Sequence, residues 1–322
     1  MSLAAIVILA VIPGRAVAQS PNNPRPAMER PTAQAVPTDK QPILDGEVLE
    51  DPAYAGAPVI EGFWQIRPDE SQPASERTVV RIIYTRNTLY FGVVCYDREP
   101  EAIIVTDSRR DSSLDETDSF QIILDTYLDH QNGFVFGTNP AGIEYDGQVT
   151  REGQSGETAL AGMRQQAGSG GGFNLNWDGS WVVRVKTSSI GWSAEFAIPF
   201  RTLRYPSGPN QTWGLNLQRN IRRHKEVAFW APLARQFDLY RLSDAGTLAS
   251  LRVEEQRNLK LTPYVLGEIR RQGTQGSEVN YLGDVGGDVK YSLTPSISEA
   301  STVIIMAIVL LVRPSGLLGK KE

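Results

Sequence analysis

The sequence predicts an all-β protein, an antiparallel β-sandwich, and three observations carry that prediction. Apolar residues recur at every second position in run after run, turn-forming residues separate the runs, and helical periodicity is nearly absent. The densest block lies between Trp181 and Pro232 and holds four of the six tryptophans, Trp181, Trp192, Trp213 and Trp230. In an extended chain alternate side chains face opposite sides, so Trp192, Ala194, Phe196, Ile198 and Phe200 share one face and Ser193, Glu195 and Ala197 the other. Strands apolar on one side must bury that side against something similar, and two stacked sheets are the simple solution.

In chain order the strands are expected at 78–85, 88–97, 118–126, 132–138, 142–149, 181–188, 192–200, 213–222, 226–231 and 247–253. The run from Trp213 sets Trp213, Leu215, Leu217 and Ile221 against an amide row of Asn216, Gln218 and Asn220 with Arg222, and Arg219 interrupts the apolar row. Arg222, Arg223, His224 and Lys225 read as the turn into the next strand. Trp192 and Trp213 are expected in the core, whereas Glu195, off its strand's apolar face, is expected to face solvent or meet an arginine. Gly168 to Gly172 is a glycine-rich connection without the strand before and helix after that a phosphate-cradling loop needs.

A chain of 322 residues with 41% hydrophobic content can build a sizeable core, which argues against disorder over most of its length. A formal charge of -5, evenly mixed, gives no reason to expect a nucleic-acid partner. Cys95 is the single cysteine, so no intrachain disulfide is expected; within its apolar run it reads as a small buried hydrophobe.

The ends differ from the middle. Leu3 to Ile12 is apolar and leads into Ala16-Val17-Ala18, a small-x-small pattern that predicts a signal peptide over 1–18 and export, although no Lys or Arg precedes the run. Residues 19–40, with Pro21, Pro24, Pro26, Pro31 and Pro37, read as an extended Pro-rich linker. The sandwich is assigned to 41–253. Residues 257–299 carry two amphipathic strand-like stretches about as long as those of transmembrane barrels, a barrel-like segment cut short. Residues 300–322 form a short apolar tail ending in RPSGLLGKKE.

Taken together, Ile43-Leu44-Asp45-Gly46 with Leu49, Asp51 and Ala53, then Leu89-Tyr90-Phe91-Gly92, Arg110-Asp111, Asp118-Ser119-Phe120, Leu124-Asp125, Asn139-Pro140 and Gly142, and finally Gly191-Trp192 to Pro199, resemble a family-9 carbohydrate-binding module. Phe63, Gln65, Pro68, Leu203-Arg204, Trp213-Gly214, Arg219, Glu226, Trp230 and the run Gly283 to Pro295 are similar to the variant fused to an outer-membrane-barrel-like domain of unknown function. The resemblance spans roughly 41–299. The tail is similar instead to the end of a branched-chain amino-acid permease, which would make the chain a chimera; an ordinary anchoring or unstructured tail stays open.

The resemblance implies binding of a glycan or polysaccharide, which needs flat aromatic faces for the apolar side of a sugar ring and amides, carboxylates or Arg for its hydroxyls. In the sugar-binding members one sandwiching tryptophan stands at the position of Asp115, and a contacting Glu stands where this chain has Gln121. The second aromatic belongs in the loop before Gly246, where Tyr240 is the nearest candidate. Trp64 and Trp177, near turn-rich segments, are candidate binding aromatics, and the amide of Asn139 completes the ligand set.

Asp111, Asp115 and Asp118 form a hard-oxygen set suited to calcium, although the spacing matches no calcium-loop motif and a solvated acidic turn stays open. With His130, His224 and one cysteine, the chain offers little to a transition metal. No other cofactor and no catalytic residue is assigned. A glycoside hydrolase acting on O-glycosyl bonds would draw its carboxylates from Glu195, Asp118, Asp125 and Glu226.

The leading expectation is an exported, non-catalytic carbohydrate-binding module of the cell envelope, in the periplasm or at the outer membrane through a barrel domain. A structural domain that has lost sugar binding and a glycoside hydrolase remain as alternatives.

Overall fold

The computed structural model describes residues 30–154, 169–170, 172–253, 259–272 and 278–291. The expected signal peptide 1–18, the linker up to residue 29 and the tail 300–322 lie outside the described residues. The strands, in chain order, are β1 Thr32–Gln34, β2 Val36–Pro37, β3 Trp64–Arg67, β4 Thr78–Tyr84, β5 Thr88–Tyr96, β6 Ser119–Asp125, β7 Gly133–Thr138, β8 Tyr145–Val149, β9 Ser169–Gly170, β10 Phe173–Asn174, β11 Val182–Ser188, β12 Gly191–Pro199, β13 Asn210–Ile221, β14 Glu226–Phe229, β15 Gly246–Arg252, β16 Leu259–Gln272 and β17 Glu278–Tyr291.

The fold is all-β, as expected. A ten-stranded sheet runs β1-β15-β13-β6-β7-β8-β10-β9, with β14 joined to β13 and β3 to β14. A five-stranded sheet runs β11-β12-β5-β4-β2. All pairings are antiparallel except at two edges, where β1 lies parallel to β15 and β2 parallel to β4. Thus the stretch read as the end of a linker clips both sheets at once, with Ala33 and Ala35 buried between them. Small alternating side chains let it enter the seam, which the proline count alone does not reveal. β16 and β17 form a separate hairpin in full antiparallel register, with Tyr264 opposite Gly286. Among the described residues no helix is long and apolar enough to cross a membrane, which says nothing about crossing by strands.

Between the sheets the alternating rows meet. Phe91, Val93 and Cys95 of β5 and Trp192, Ala194, Phe196 and Ile198 of β12 face Phe120, Ile122 and Leu124 of β6 and Trp213, Leu215 and Leu217 of β13. Phe196 lies 6.2 Å from Phe120 across the interface and stacks at 5.8 Å on Trp181. Removing side chains of this size from water stabilises the fold by roughly 1.5–3 kcal/mol each.

Each sheet also carries apolar residues on its outer face. On the small sheet, Val79, Ile83, Tyr90, Val94 and Ala197 are covered by Val48, Tyr54 and Ala57. On the large sheet, Ile66, Ile123, Val135, Val149 and Phe229 are covered by Leu233, Leu239 and Leu242 of the segment before β15. That second cover leaves the hollow described below.

Glu195 corrects the expectation of a solvent-facing carboxylate, since its residue is 0% exposed. Its Oε2 accepts hydrogen bonds from the backbone N–H groups of Asp45 (3.0 Å) and Gly46 (2.8 Å), and Ser193 Oγ donates to Gly46 O. The non-apolar face of β12 is buried because the 43–57 loop folds over it. Gly46 has φ +87°, and a Cβ there would lie 2.6 Å from Val185 C, so this clasp requires glycine. Asp51 finishes it, its Oδ2 accepting from Ile43 N and its Oδ1 from Ala53 N.

Candidate functional site

A hollow of about 230 Å³ opens on the outer face of the large sheet. Strand alternation explains its floor. In β13 the inner row is core, so Asn216, Gln218 and Asn220 project outward; in β6 Gln121 does the same and stands directly opposite Gln218 in register. The turn formed by Arg222 to His224, closed by left-handed Lys225, returns the chain as β14 and sets Val227 and Phe229 beside them. Tyr145 and Tyr240 form a wall, and Arg67 and Asp115 stand at the rim.

The amides are treated unequally. Asn216 is fully committed: its Nδ2 donates to Ala231 O (3.1 Å) and its Oδ1 accepts from Ala231 N (2.9 Å) and Leu217 N (2.9 Å). Asn220 Nδ2 donates to Leu114 O (2.9 Å). By contrast Gln121 and Gln218, 7% and 8% exposed, have no hydrogen-bond partner for their side chains among the described residues. Two adjacent amides thus present four polar positions to a small hollow open to solvent, where water or a ligand can meet them.

The aromatic wall is rigid. Phe173 stacks on Tyr240 at 4.8 Å and on Tyr145 at 6.2 Å, so Tyr240 is backed by another ring. The loop at Gly153 also closes on it, since a Cβ there would lie 3.0 Å from Tyr240 Cδ2. Burial pushes the Tyr145 hydroxyl up to about 12 and raises that of Tyr240 further, the two phenols lying close enough to influence each other. Both are therefore neutral hydroxyls across the physiological range.

Of the residues singled out from the sequence, Asp115, Gln121 and Tyr240 meet in this hollow although they are far apart in the chain. Three others do not. Asn139 is buried, donating from Nδ2 to Asp107 O (2.8 Å) and accepting at Oδ1 from Ala141 N (3.0 Å), which makes it the organiser of a turn. Trp177 packs on the inter-sheet core, 5.1 Å from Phe134 and 5.9 Å from Phe136, rather than offering a free face. Trp64 opens β3, half-buried, outside the lining of the hollow.

The acidic set suggested for calcium does not converge. Asp118 is buried with Oδ2 on Ile104 N (2.9 Å), Asp115 is exposed and paired with Ser113, and Asp111 faces Arg110 at 3.5 Å. Among the described residues no three His, Cys, Asp or Glu side chains are placed to hold a metal ion.

The four carboxylates considered for hydrolysis are all buried and each is held by backbone N–H groups. Glu195 accepts from Asp45 N and Gly46 N, Asp125 from His130 N (2.7 Å), Glu226 from Ser75 N (2.9 Å) and Asp118 from Ile104 N. Burial raises the carboxyl groups of Glu195, Asp118 and Asp125 above the usual range. Cys95 is fully buried, which pushes its thiol up to about 11 and removes it as a nucleophile.

Sequence reasoning missed Arg67, Tyr145 and Phe229 as parts of the hollow. Gln218 was legible only as one of an alternating amide row; its pairing with Gln121 depends on strand register, which a single sequence does not state.

No family model and no curated protein matches the chain. Among solved structures it is similar to a family 9 carbohydrate-binding module from Caldicellulosiruptor kristjanssonii in complex with cellotriose, at 14% identity and a TM-score of 0.46, covering 70% of this chain and 95% of that one. It is similar also to a family 9 module from the same organism in complex with glucose, at 14% identity and a TM-score of 0.47, covering 70% and 99%. At these identities and scores the likeness assigns no residue of this chain a role.

Proposed function

We propose that the chain is a non-catalytic carbohydrate-binding domain that holds a sugar ring in the hollow on the outer face of the large sheet. The observation that carries this reading is the pair of amides without a protein partner, Gln121 and Gln218, that open into the hollow under a wall of neutral phenols. A saccharide offers what that surface lacks: hydroxyls that both donate and accept for the amides, and C–H groups for the rings. Asp115 at the rim adds a carboxylate acceptor for a hydroxyl pair.

The absence of catalysis belongs to the same proposal. It is supported by the commitment of Glu195, Asp118, Asp125 and Glu226 to backbone N–H groups, which leaves them holding loops rather than facing a substrate. The reading extends to an exported protein of the envelope, in the periplasm or at the outer membrane. Its support is the apolar run before Ala16-Val17-Ala18 and the paired 14-residue strands β16 and β17, the kind of hairpin from which membrane barrels are made.

Calorimetric titration of the full chain with glucose, cellotriose, xylotriose and trigalacturonate tests the assignment. Saturable binding of any of these, lost in the Gln121→Leu/Gln218→Leu double variant, is expected. Flat titrations across the set would sink it and favour a purely structural domain, and release of reducing sugar by the purified chain would overturn the non-catalytic part.

A further inference from the structure

Beside the hollow, and sharing Arg67, Asp115, Gln218 and Val227 with it, lies a wider groove of about 610 Å³. Its charges are unevenly spent. Arg222 is ion-paired with Glu116, and Glu226 is buried with its Oε1 on Ser75 N, so these three are settled within the protein. Arg67 and Lys225, both exposed, have no hydrogen-bond or ion-pair partner for their side chains among the described residues. Arg235 also lines the groove and directs Nη1 to Pro68 O (3.3 Å). Against these cations the groove sets one unsettled carboxylate, Asp115, itself bonded to Ser113.

We infer that the site selects acidic saccharides: a uronate-containing chain whose one ring occupies the amide-floored hollow while a carboxylate on that ring or its neighbour meets Arg67 and Lys225. This rests on the sugar-binding reading above and deepens it. The joint is Arg67, which belongs to both cavities, so a ligand seated on Gln121 and Gln218 has a guanidinium at its edge. A guanidinium fits a carboxylate in bidentate fashion, and an ammonium adds a point charge. Register explains the placement, since Arg67 pairs with Val227, whose β13 partner Asn220 is two residues from Gln218, and Lys225 closes the turn that joins β13 to β14. Asp115 sits at the shared rim, where it disfavours a carboxylate on its own side and orients the acid toward the cations.

The test compares trigalacturonate with cellotriose on the full chain by calorimetry, in the wild type and in Arg67→Gln and Lys225→Gln variants, at low and high salt. Trigalacturonate is expected to bind at least tenfold more tightly than cellotriose at low salt, with the ratio falling as salt rises. Arg67→Gln should reduce that ratio about tenfold and Lys225→Gln about threefold; both side chains are exposed, so folding is not at issue. Equal or tighter binding of cellotriose, or a ratio unmoved by Arg67→Gln, overturns the selectivity while leaving the hollow as a sugar site. Absence of binding by both probes overturns the selectivity, and the hollow as a sugar site falls with it if glucose and xylotriose are silent too.

Discussion

The two faces of β13 differ in how their polar groups are spent. On the inner face, Arg219 interrupts a row of Trp213, Leu215 and Leu217, yet every hydrogen bond its terminal nitrogens make ends on a fixed acceptor: Nη1 on Arg77 O (2.8 Å) and Thr78 Oγ1 (2.9 Å), Nη2 on Tyr96 O (2.7 Å). On the outer face, Asn216 and Asn220 are committed to loop backbone but Gln218 is left over, with Gln121 beside it. One strand thus carries a polar group that locks the ends of two sheets together and another that awaits a partner. What separates structure from recognition here is where the polar ends lie: Arg219 is sealed between the sheets, its Nε without a partner, whereas the amide of Gln218 opens into the hollow.

The comparison breaks most visibly at Arg219. Its residue is 0% exposed, and replacing it by alanine removes one donor from each of two carbonyls and a hydroxyl and takes away the positive charge near buried Asp118 and Asp97. Arg219→Ala is expected to destabilise by about 3–5 kcal/mol, read as a lower urea midpoint at constant m-value. A change below about 1 kcal/mol would mean that Arg219 contributes little to holding the ends of the two sheets together.

Glu195 offers the next largest effect and a pH signature. Burial raises its carboxyl above the usual range in the folded state, with the Gly46 and Asp45 N–H groups acting in the opposite direction. A group whose folded value is raised contributes stability that is present below its unfolded value and is lost as pH climbs through the raised one. Glu195→Gln is therefore expected to cost about 1–3 kcal/mol, with the wild-type advantage greatest in acid and shrinking as pH rises past the ordinary carboxylate range. Urea titrations at a series of pH values check this; a gap that widens with rising pH would contradict the assignment.

Period-two alternation places Trp192, Phe196, Trp213 and Leu217 in the core, and it makes the described strands from 78 to 253 legible to within a few residues, except the two-residue β9 and β10, which are too short to show a period. The same rule fails at Glu195 because loop 43–57 covers the second face, and no local pattern announces a cover supplied 150 residues away. It fails at Ala33 and Ala35 because a two- or three-residue edge strand has too few positions to show a period. For the site, Asp115, Gln121 and Tyr240 stand out in the sequence only by resemblance to a known module, and they lie together in one hollow. Asn139 and Trp177 shared the right residue types but not the free surface, and Arg67 gave no signal, since its position depends on β3 joining the far edge of β14.

On the outer face the sharpest contrast with Arg219 is Gln218→Leu. Because Gln218 holds no protein partner, an apolar side chain of similar size leaves no orphaned group behind, and stability should stay within about 0.5 kcal/mol of wild type or rise. Affinity for the best saccharide of the titration series should nonetheless fall at least tenfold. A variant that loses stability in step with binding would show that the amide is structural after all.

The smallest effect tests the wall. Tyr240→Phe keeps the ring that Phe173 supports at 4.8 Å and deletes only the hydroxyl that meets Tyr145. If the ring face and the backing stack supply the contact, affinity should drop only about two- to fivefold, the equivalent of roughly 0.4–1 kcal/mol, and the Tyr145 phenol, freed of its partner, would become the group that reports on ligand. If the phenol instead donates directly to the sugar, the loss reaches that of Gln218→Leu. Calorimetry on the two variants under one set of conditions separates a surface that recognises by shape from one that recognises by hydrogen bonds, and the doubly backed ring favours shape.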